Sequence, residues 1–331
     1  MRIVTTLPSA TETVAALDCE PVGVSHECDH PPNAADAPAV TRSRIDTSGS
    51  SGEIDRQVLE TADTEGGVYD VDVETLADLE PDVIVTQGMC DVCAVDVAVI
   101  EDAVDRISAE PEIVPTDPHG VADVLDDLER IGRAIGREER ARSVRADLES
   151  RLDAIRERTA DADLAADECP RVAVFDWTDP VMVAGHWTAE LVEWAGGEYG
   201  LADVGEASSP REWEEIREYD PELIVVGPCG FSLEQIARNG TDLTEREEWS
   251  ELTAVREGRV WAMDGDHYLN RPGPRLVDTL EALAPIIQPE LFDGPAADIA
   301  VPFDELEGLE ALETEDEPIA PDSRAEIDSS P

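Results

Sequence analysis

Residues 73–86 read VETLADLEPDVIVT, and residues 213–226 read WEEIREYDPELIVV, with Pro81 matching Pro221 and Ile84-Val85 matching Ile224-Val225. Each copy has the pattern of a short amphipathic helix, a Pro that ends it, and a buried strand of β-branched residues, which together make an α/β unit. A chain that carries this unit twice has two similar halves. The expected fold class is therefore α/β, with two Rossmann-like lobes and a ligand cleft between them. Open α/β sheets bind ligands at the carboxyl ends of their strands. The segments after the two repeated strands, Gln-Gly-Met-Cys-Asp-Val-Cys at 87–93 and Gly-Pro-Cys-Gly-Phe at 227–231, are thus expected to face each other across one ligand.

At 331 residues the chain is long enough for two domains of ordinary size. Its net charge is −54, and all 24 basic residues are Arg. Carboxylates at this density repel one another unless multimolar salt shortens the screening length to ~3 Å. The composition is that of a protein adapted to extreme salt. Nucleic-acid binding is disfavoured, because no Arg-rich stripe interleaved with aromatics offsets the repulsion from phosphates. No hydrophobic run approaches the ~20 residues needed to span a membrane. Met1-Arg2 leads directly into Ile3-Val4-Thr5-Thr6, without the charged and apolar segments of a secretion signal. This start predicts a cytoplasmic protein, or an extracytoplasmic, membrane-associated one if the true start lies upstream. Six Cys in a chain of this length do not make a disulfide framework.

The N-terminal lobe is expected over 1–118, with strands at 2–6, 21–25 and 112–116 and helices at 9–17, 54–63 and 96–107 around the first repeat. A linking backbone helix follows over 119–165. Its apolar residues, from Val121 through Leu128, Ile135, Val144 and Leu152 to Ile155, keep helical spacing. No Pro interrupts this segment, so a helix of roughly forty residues would reach ~60 Å and join the lobes as a stiff rod. Gly132 and Gly136 are the positions at which it could kink. The C-terminal lobe is expected over 166–290, opening on Arg171-Val172-Ala173-Val174 and closing with a strand at 259–263 and a helix at 274–287. Residues 291–331 are rich in Asp, Glu, Pro and Ala and predict a disordered acidic tail.

Potential ligand-contacting side chains cluster at the predicted strand ends. Ser25-His26-Glu27-Cys28-Asp29-His30 is a dense set of metal ligands and proton donors. Cys90 and Cys93 on the second tip and Cys229 on the third add thiols. Together with Cys28 they form either a soft-ligand metal centre or a set of small buried hydrophobes and a local pair. Gln87, Met89 and Phe231 belong to the same tips. Trp177 follows the first strand of the second lobe, and His186 and Trp187 open its next helix. Both Trp suit the wall of a cleft for a large flat ligand, whereas Trp194, Trp213 and Trp249 read as core. His267, Tyr268 and Arg271 follow the strand at 259–263. Ser9 is either a ligand contact or a helix N-cap, with Glu12 completing a capping box. There is no P-loop, GxSxG elbow, HExxH or GxGxxG after the first strand, so no enzyme signature is present. A Cys28–His267 nucleophilic pair has no local motif behind it.

Several segments together carry a family resemblance. Residues 2–12 (RIVTTLPSATE), Pro21-Val22-Gly23-Val24-Ser25 with Asp29-x-Pro31-Pro32, LADLEPDVIV at 76–85, the central helical segment and RPGPR at 271–275 resemble the cobalamin and iron-siderophore group of ABC-transporter solute-binding proteins. Order and spacing agree over residues 1–290, and the likeness is greatest to the cobalamin-binding branch. The resemblance implies a receptor without turnover or a required cofactor. It would clamp a corrinoid, or another metal chelate, between two rigid lobes and, as a monomer, deliver it to an ABC importer permease. It also implies that 25–30, 87–93, Trp177 and 264–271 border the ligand. An aromatic residue that lines the corrinoid pocket in familiar members falls at Glu27 here, and the Cys-rich tips go beyond the familiar pattern. They leave open a cytoplasmic metal- or tetrapyrrole-binding protein ligating through Cys28, Cys90, Cys93 and Cys229.

Overall fold

A computed structural model describes residues 1–62, 67–89, 92, 94–165 and 168–306. The N-terminal lobe comprises, in chain order, β1 (Ile3–Thr5), α1 (Pro8–Ala16), β2 (Thr41–Ser43), α2 (Ser51–Ala62), β3 (Tyr69–Val71), α3 (Val73–Leu79), β4 (Val83–Gln87), α4 (Val97–Val104) and β5 (Glu112–Thr116). Its central sheet is parallel, in the order β1-β4-β5. The strand predicted at 21–25 is reduced to isolated bridges, Val4 to Gly23 and Val24 to Ala39, which continue the sheet past β1. β2 and β3 form a separate antiparallel pair.

α5 (Val121–Ala134) and α6 (Glu138–Asp161) lead to the second lobe. That lobe contains β6 (Val172–Thr178), β7 (Val181–Val183), α7 (Thr188–Trp194), β8 (Ser209–Pro210), α8 (Trp213–Tyr219), β9 (Leu223–Val226), α9 (Leu233–Asn239), α10 (Thr241–Thr244), α11 (Thr253–Arg256), β10 (Val260–Met263), α12 (Leu276–Ile287) and β11 (Ala300–Pro302). Its sheet runs β11-β10-β9-β6-β7-β8, with β10, β9 and β6 parallel and the outer strands antiparallel.

The repeat read from the sequence extends to atomic detail. α3 and α8 both end on a left-handed residue, Glu80 at φ 41° and Asp220 at φ 45°, and a Pro follows each. Both following strands pair in parallel with the first strand of their lobe, Val83 with Ile3 and Leu223 with Val172. Arg2 and Arg171 close the units in the same way. Each backbone N–H donates to the acid after the Pro, Asp82 at 2.7 Å and Glu222 at 3.0 Å. Each guanidinium Nε donates to a carbonyl at the end of the preceding helix, that of Leu79 or Tyr219. Those carbonyls lack intrahelical partners, and a cation there also opposes the negative end of the helix dipole.

The forty-residue rod is a helical hairpin instead. α5 stops at Ile135, Gly136 takes φ +70°, and the Arg137 N–H donates to the Gly132 carbonyl at 2.6 Å. Arg145 Nη1 then lies 2.6 Å from Asp126 Oδ1, nineteen residues back, where a straight helix would hold them ~28 Å apart. A glycine is required at 132, because a Cβ there would sit 2.5 Å from Ala141 Cβ. α6 alone crosses between the lobes, and its Arg151 binds Asp278 and Glu281 of α12. The folded chain also runs past 290. β11 pairs with β10, Leu306 is buried, and the expected disordered tail lies outside the described residues only over 307–331.

Candidate functional site

The strand-end loops of the two lobes meet, and charged side chains make the contact. Asp264 follows β10 and caps a single turn, Gly265–Leu269, with its Oδ1 accepting from the His267 N–H at 2.6 Å. Gly265 is forced by close approach, since a Cβ would lie 2.1 Å from the Pro228 carbonyl oxygen. Asn270 donates to the Gly227 and Gly265 carbonyls, joining the tips at 227–231 and 264–271 into one surface. From this surface Arg271 reaches into the N-terminal lobe. Its Nη1 lies 2.9 Å from Glu12 Oε1 and 2.6 Å from Asp29 Oδ1, and its Nη2 lies 3.1 Å from Asp266 Oδ1. Arg275 joins Glu12 from the start of α12. The imidazole of His267 lies between two carboxylates, with Nδ1 2.8 Å from Asp264 and Nε2 2.9 Å from Asp29.

Those partners determine the charge states. Hydrogen bonds to Asp264 and then Asp29 raise the His267 pKa to about 10, so the ring is cationic at neutral pH. Burial pushes Asp29 up, but His267 and Arg271 outweigh it and hold the carboxyl well below the usual range. Glu27 goes the other way. Burial, and then the Asp266 carboxylate, raise its pKa to about 7 despite Arg271.

A second contact between the lobes lies at the start of α2. Ser51 is fully buried, its hydroxyl 2.8 Å from the Thr178 hydroxyl and also bonded to Asp242 of α10. Gly52 allows this approach, because a Cβ would meet Asp179 Oδ2 at 2.6 Å. A third contact lies at the start of α5, where the Val121 N–H donates to Glu190 of α7 at 2.8 Å.

Several residues expected at the ligand do lie at this seam. Asp29, His267 and Arg271 are in the ion network, and Glu27 is electrostatically coupled to it. Tyr268 is half-buried under the Arg275 guanidinium, 5.1 Å from its ring centroid. Ser9 is buried against Gly273. It is not an N-cap, because α1 begins at Pro8 with Leu7 in the cap position, and Glu12 binds the other lobe instead of completing a capping box. Trp177 remains partly accessible, donating from Nε1 to the Asp179 carbonyl at 3.2 Å, with Phe231 packed edge-on at 5.3 Å.

Other expected contacts serve the core or their own loops. Trp187 is 4% exposed and donates to the Leu269 carbonyl, and Phe231 is 2% exposed, so neither is a free wall. Gln87 is buried, binding the Ala94 carbonyl and the Met89 N–H, so it shapes its loop, and Met89 packs on the core. His26 bonds to Thr41 at 2.9 Å, and burial lowers its pKa. His186 takes φ +52° and lies 5.7 Å from His119, with its pKa lowered by burial and then by that neighbour. The Cys28 thiol lies buried 3.0 Å from the Thr11 hydroxyl, and burial raises its pKa to about 11. Cys229 is half-buried, with its N–H bonded to the Asp176 carbonyl. Cys90 and Cys93 lie outside the described residues. Among the described residues, no group of three or more His, Cys, Asp or Glu is placed to hold a metal ion.

Sequence reasoning missed Glu12, Arg275, Ser51 and Asp242. No local pattern marks Glu12 or Arg275, because an acid early in a helix and an Arg before a helix read as ordinary surface charges, and only the fold buries and pairs them. An open groove of about 700 Å³ also exists, lined by Met1, Ile3, Cys19, Pro31 and Arg137 among others, all from the first lobe and the α5–α6 turn.

Two α/β lobes joined by one crossing helix, with strand ends converging on a seam, define a two-lobed solute receptor. The chain belongs to the periplasmic binding protein family, which it matches over residues 3–267. It is 26% identical over 231 residues to the uncharacterized ABC transporter substrate-binding lipoprotein YvrC of Bacillus subtilis (strain 168), covering 68% of each chain. Its fold is that of a periplasmic heme-binding protein from Pseudomonas aeruginosa, with TM-score 0.65, 21% identity and coverage of 88% of this chain and 93% of the other. It is equally that of the periplasmic vitamin B12-binding protein BtuF of Vibrio cholerae, with TM-score 0.63, 21% identity and coverage of 87% and 96%. The protein is thus an ABC-transporter solute-binding protein and not an enzyme. This corrects the expectation of a cytoplasmic protein, because the family and the matched lipoprotein are extracytoplasmic. Among the described residues, no helix is long and apolar enough to cross a membrane.

Proposed function

We propose that the protein captures a corrinoid at the seam between its lobes and presents it to an ABC importer permease. The observation that supports this ligand class over other flat metal chelates is the charge of the seam. Glu12, Asp29, Asp264 and Asp266 outnumber Arg271, Arg275 and His267 there, and Glu27, with its pKa raised to about 7, adds part of a negative charge. A chelate whose rim carries carboxylates must bring further negative charge into this setting, and like charges brought together in a desolvated site are repelled. A corrinoid has a rim of neutral amides, which both donate and accept hydrogen bonds. It suits a seam of fixed carboxylates and guanidinium groups, with Trp177 and Tyr268 offering apolar contact.

Calorimetry and visible absorption with cyanocobalamin in multimolar KCl test the reading. Saturable one-to-one uptake with a shifted corrinoid spectrum is expected. No uptake of cyanocobalamin or aquocobalamin rejects the corrinoid.

A further inference from the structure

Two cations of the seam, His267 and Arg271, are already occupied. Both ring nitrogens of His267 face carboxylates, and both terminal nitrogens of Arg271 do as well. Asp264 and Asp266 come from the same loop as those cations and move with them. Glu12 has a side chain only 2% exposed, held also by Arg275. Asp29 differs from Asp264 and Asp266 in its lobe and from Glu12 in its exposure. It comes from the opposite lobe and its side chain is 36% exposed. Like Asp266, which lies 3.1 Å from Arg271 and 3.6 Å from His267, it contacts both cations, through Oδ1 to Arg271 at 2.6 Å and Oδ2 to His267 at 2.9 Å.

We propose that Asp29 sets the charge selectivity of the cleft: it occupies the anion-binding positions of Arg271 and His267, so that carboxylate-bearing chelates are turned away and neutral ones admitted. The inference rests on reading the seam as the ligand site. A carboxylate entering between the lobes meets Asp29 as a competitor that is tethered to the protein and therefore present at high effective concentration. It must release Asp29 and leave that charge without its partners, which opposes binding in a partly desolvated seam. An uncharged amide makes no such demand. It can donate to the partly exposed Asp29 carboxylate while the ion pairs stay in place. Asp29 is thus a positioning residue for the two cations as well as a local source of repulsion.

Asp29→Asn removes the charge and keeps the shape. Its affinity for hemin, which carries two propionates, should rise about tenfold or more over that of the full wild-type chain in the same high-salt buffer. The NMR titration of His267 gives a readout that a merely structural role would not move. Its midpoint should fall from about 10 in the variant, partially, because Asp264 still holds Nδ1. Asp29→Ser serves as the second variant if the Asn protein does not fold. Hemin affinity no greater in the variant than in wild type overturns the proposal, as does an unmoved His267 midpoint. Cyanocobalamin titrated into the wild-type protein reports separately. Its failure to bind sinks the corrinoid reading while the charge filter is judged on hemin.

Discussion

Glu27, which the sequence resemblance matches to an aromatic position of corrinoid receptors, has surroundings that give it a pH dependence of its own. Burial and the Asp266 carboxylate raise its pKa from 4.5 to about 7. Between those values the folded protein holds a proton that the unfolded chain has lost, so this group lowers stability as pH rises from 4.5 to about 7, after which its effect is constant. Glu27→Gln should therefore match wild type in melting temperature below pH 4.5 and exceed it above pH 7, with the gap opening in between. Identical melting curves at pH 8 would contradict this account of Glu27. The same residue shows a limit of sequence reading. Its departure from the family pattern was visible, but its neighbour Asp266 is brought close only by tertiary structure. Glu12 was misread for a related reason. A Ser with a Glu three residues later fits a capping box locally, and a partner far along the chain overrides that local fit.

At the scale of elements, the repeated helix-Pro-strand units were legible because their signals are local: apolar periodicity, a Pro, and a run of β-branched residues. The elbow between α5 and α6 was passed over because no Pro marks it, yet the apolar positions change helical face there: at ~100° per residue Val121, Val124, Leu128, Ile131 and Ile135 share one face and Val144, Leu148, Leu152 and Ile155 the opposite one. That half-turn slip across Gly132 and Gly136 marks a break, and the close approach of Gly132 to Ala141 fixes its geometry. Gly132→Ala places a methyl 2.5 Å from that of Ala141. Overpacking of this kind costs ~1–3 kcal/mol, measured as a loss of urea unfolding free energy. A variant as stable as wild type would show that the two helices can part without cost. Trp187 and Phe231 illustrate an ambiguity in the site. An aromatic beside a strand end has the same sequence signature whether it lines a cleft or, as here, packs beneath it.

For the whole molecule, charge and seam act together. Surface ion pairs such as Arg42–Asp70 are exposed and contribute little in concentrated salt, whereas the nearly buried Arg271–Glu12 pair is screened far less. Deleting one partner of such a pair strands a buried charge and costs ~3–5 kcal/mol, so the seam should remain sensitive to substitution at salt concentrations that screen the repulsion within a chain of net charge −54. We read that surface as adaptation to high salt. The melting temperature should climb with KCl into the multimolar range, and a maximum in dilute buffer would refute the reading. The account depends most on the position of the ligand between the lobes. Hydrogen–deuterium exchange with and without cyanocobalamin tests this directly. Added ligand should protect residues 25–30, 177–180 and 264–271 together, from both sides of the seam. Protection confined to the first-lobe groove around Met1, Cys19 and Arg137, with the seam unchanged, would contradict it.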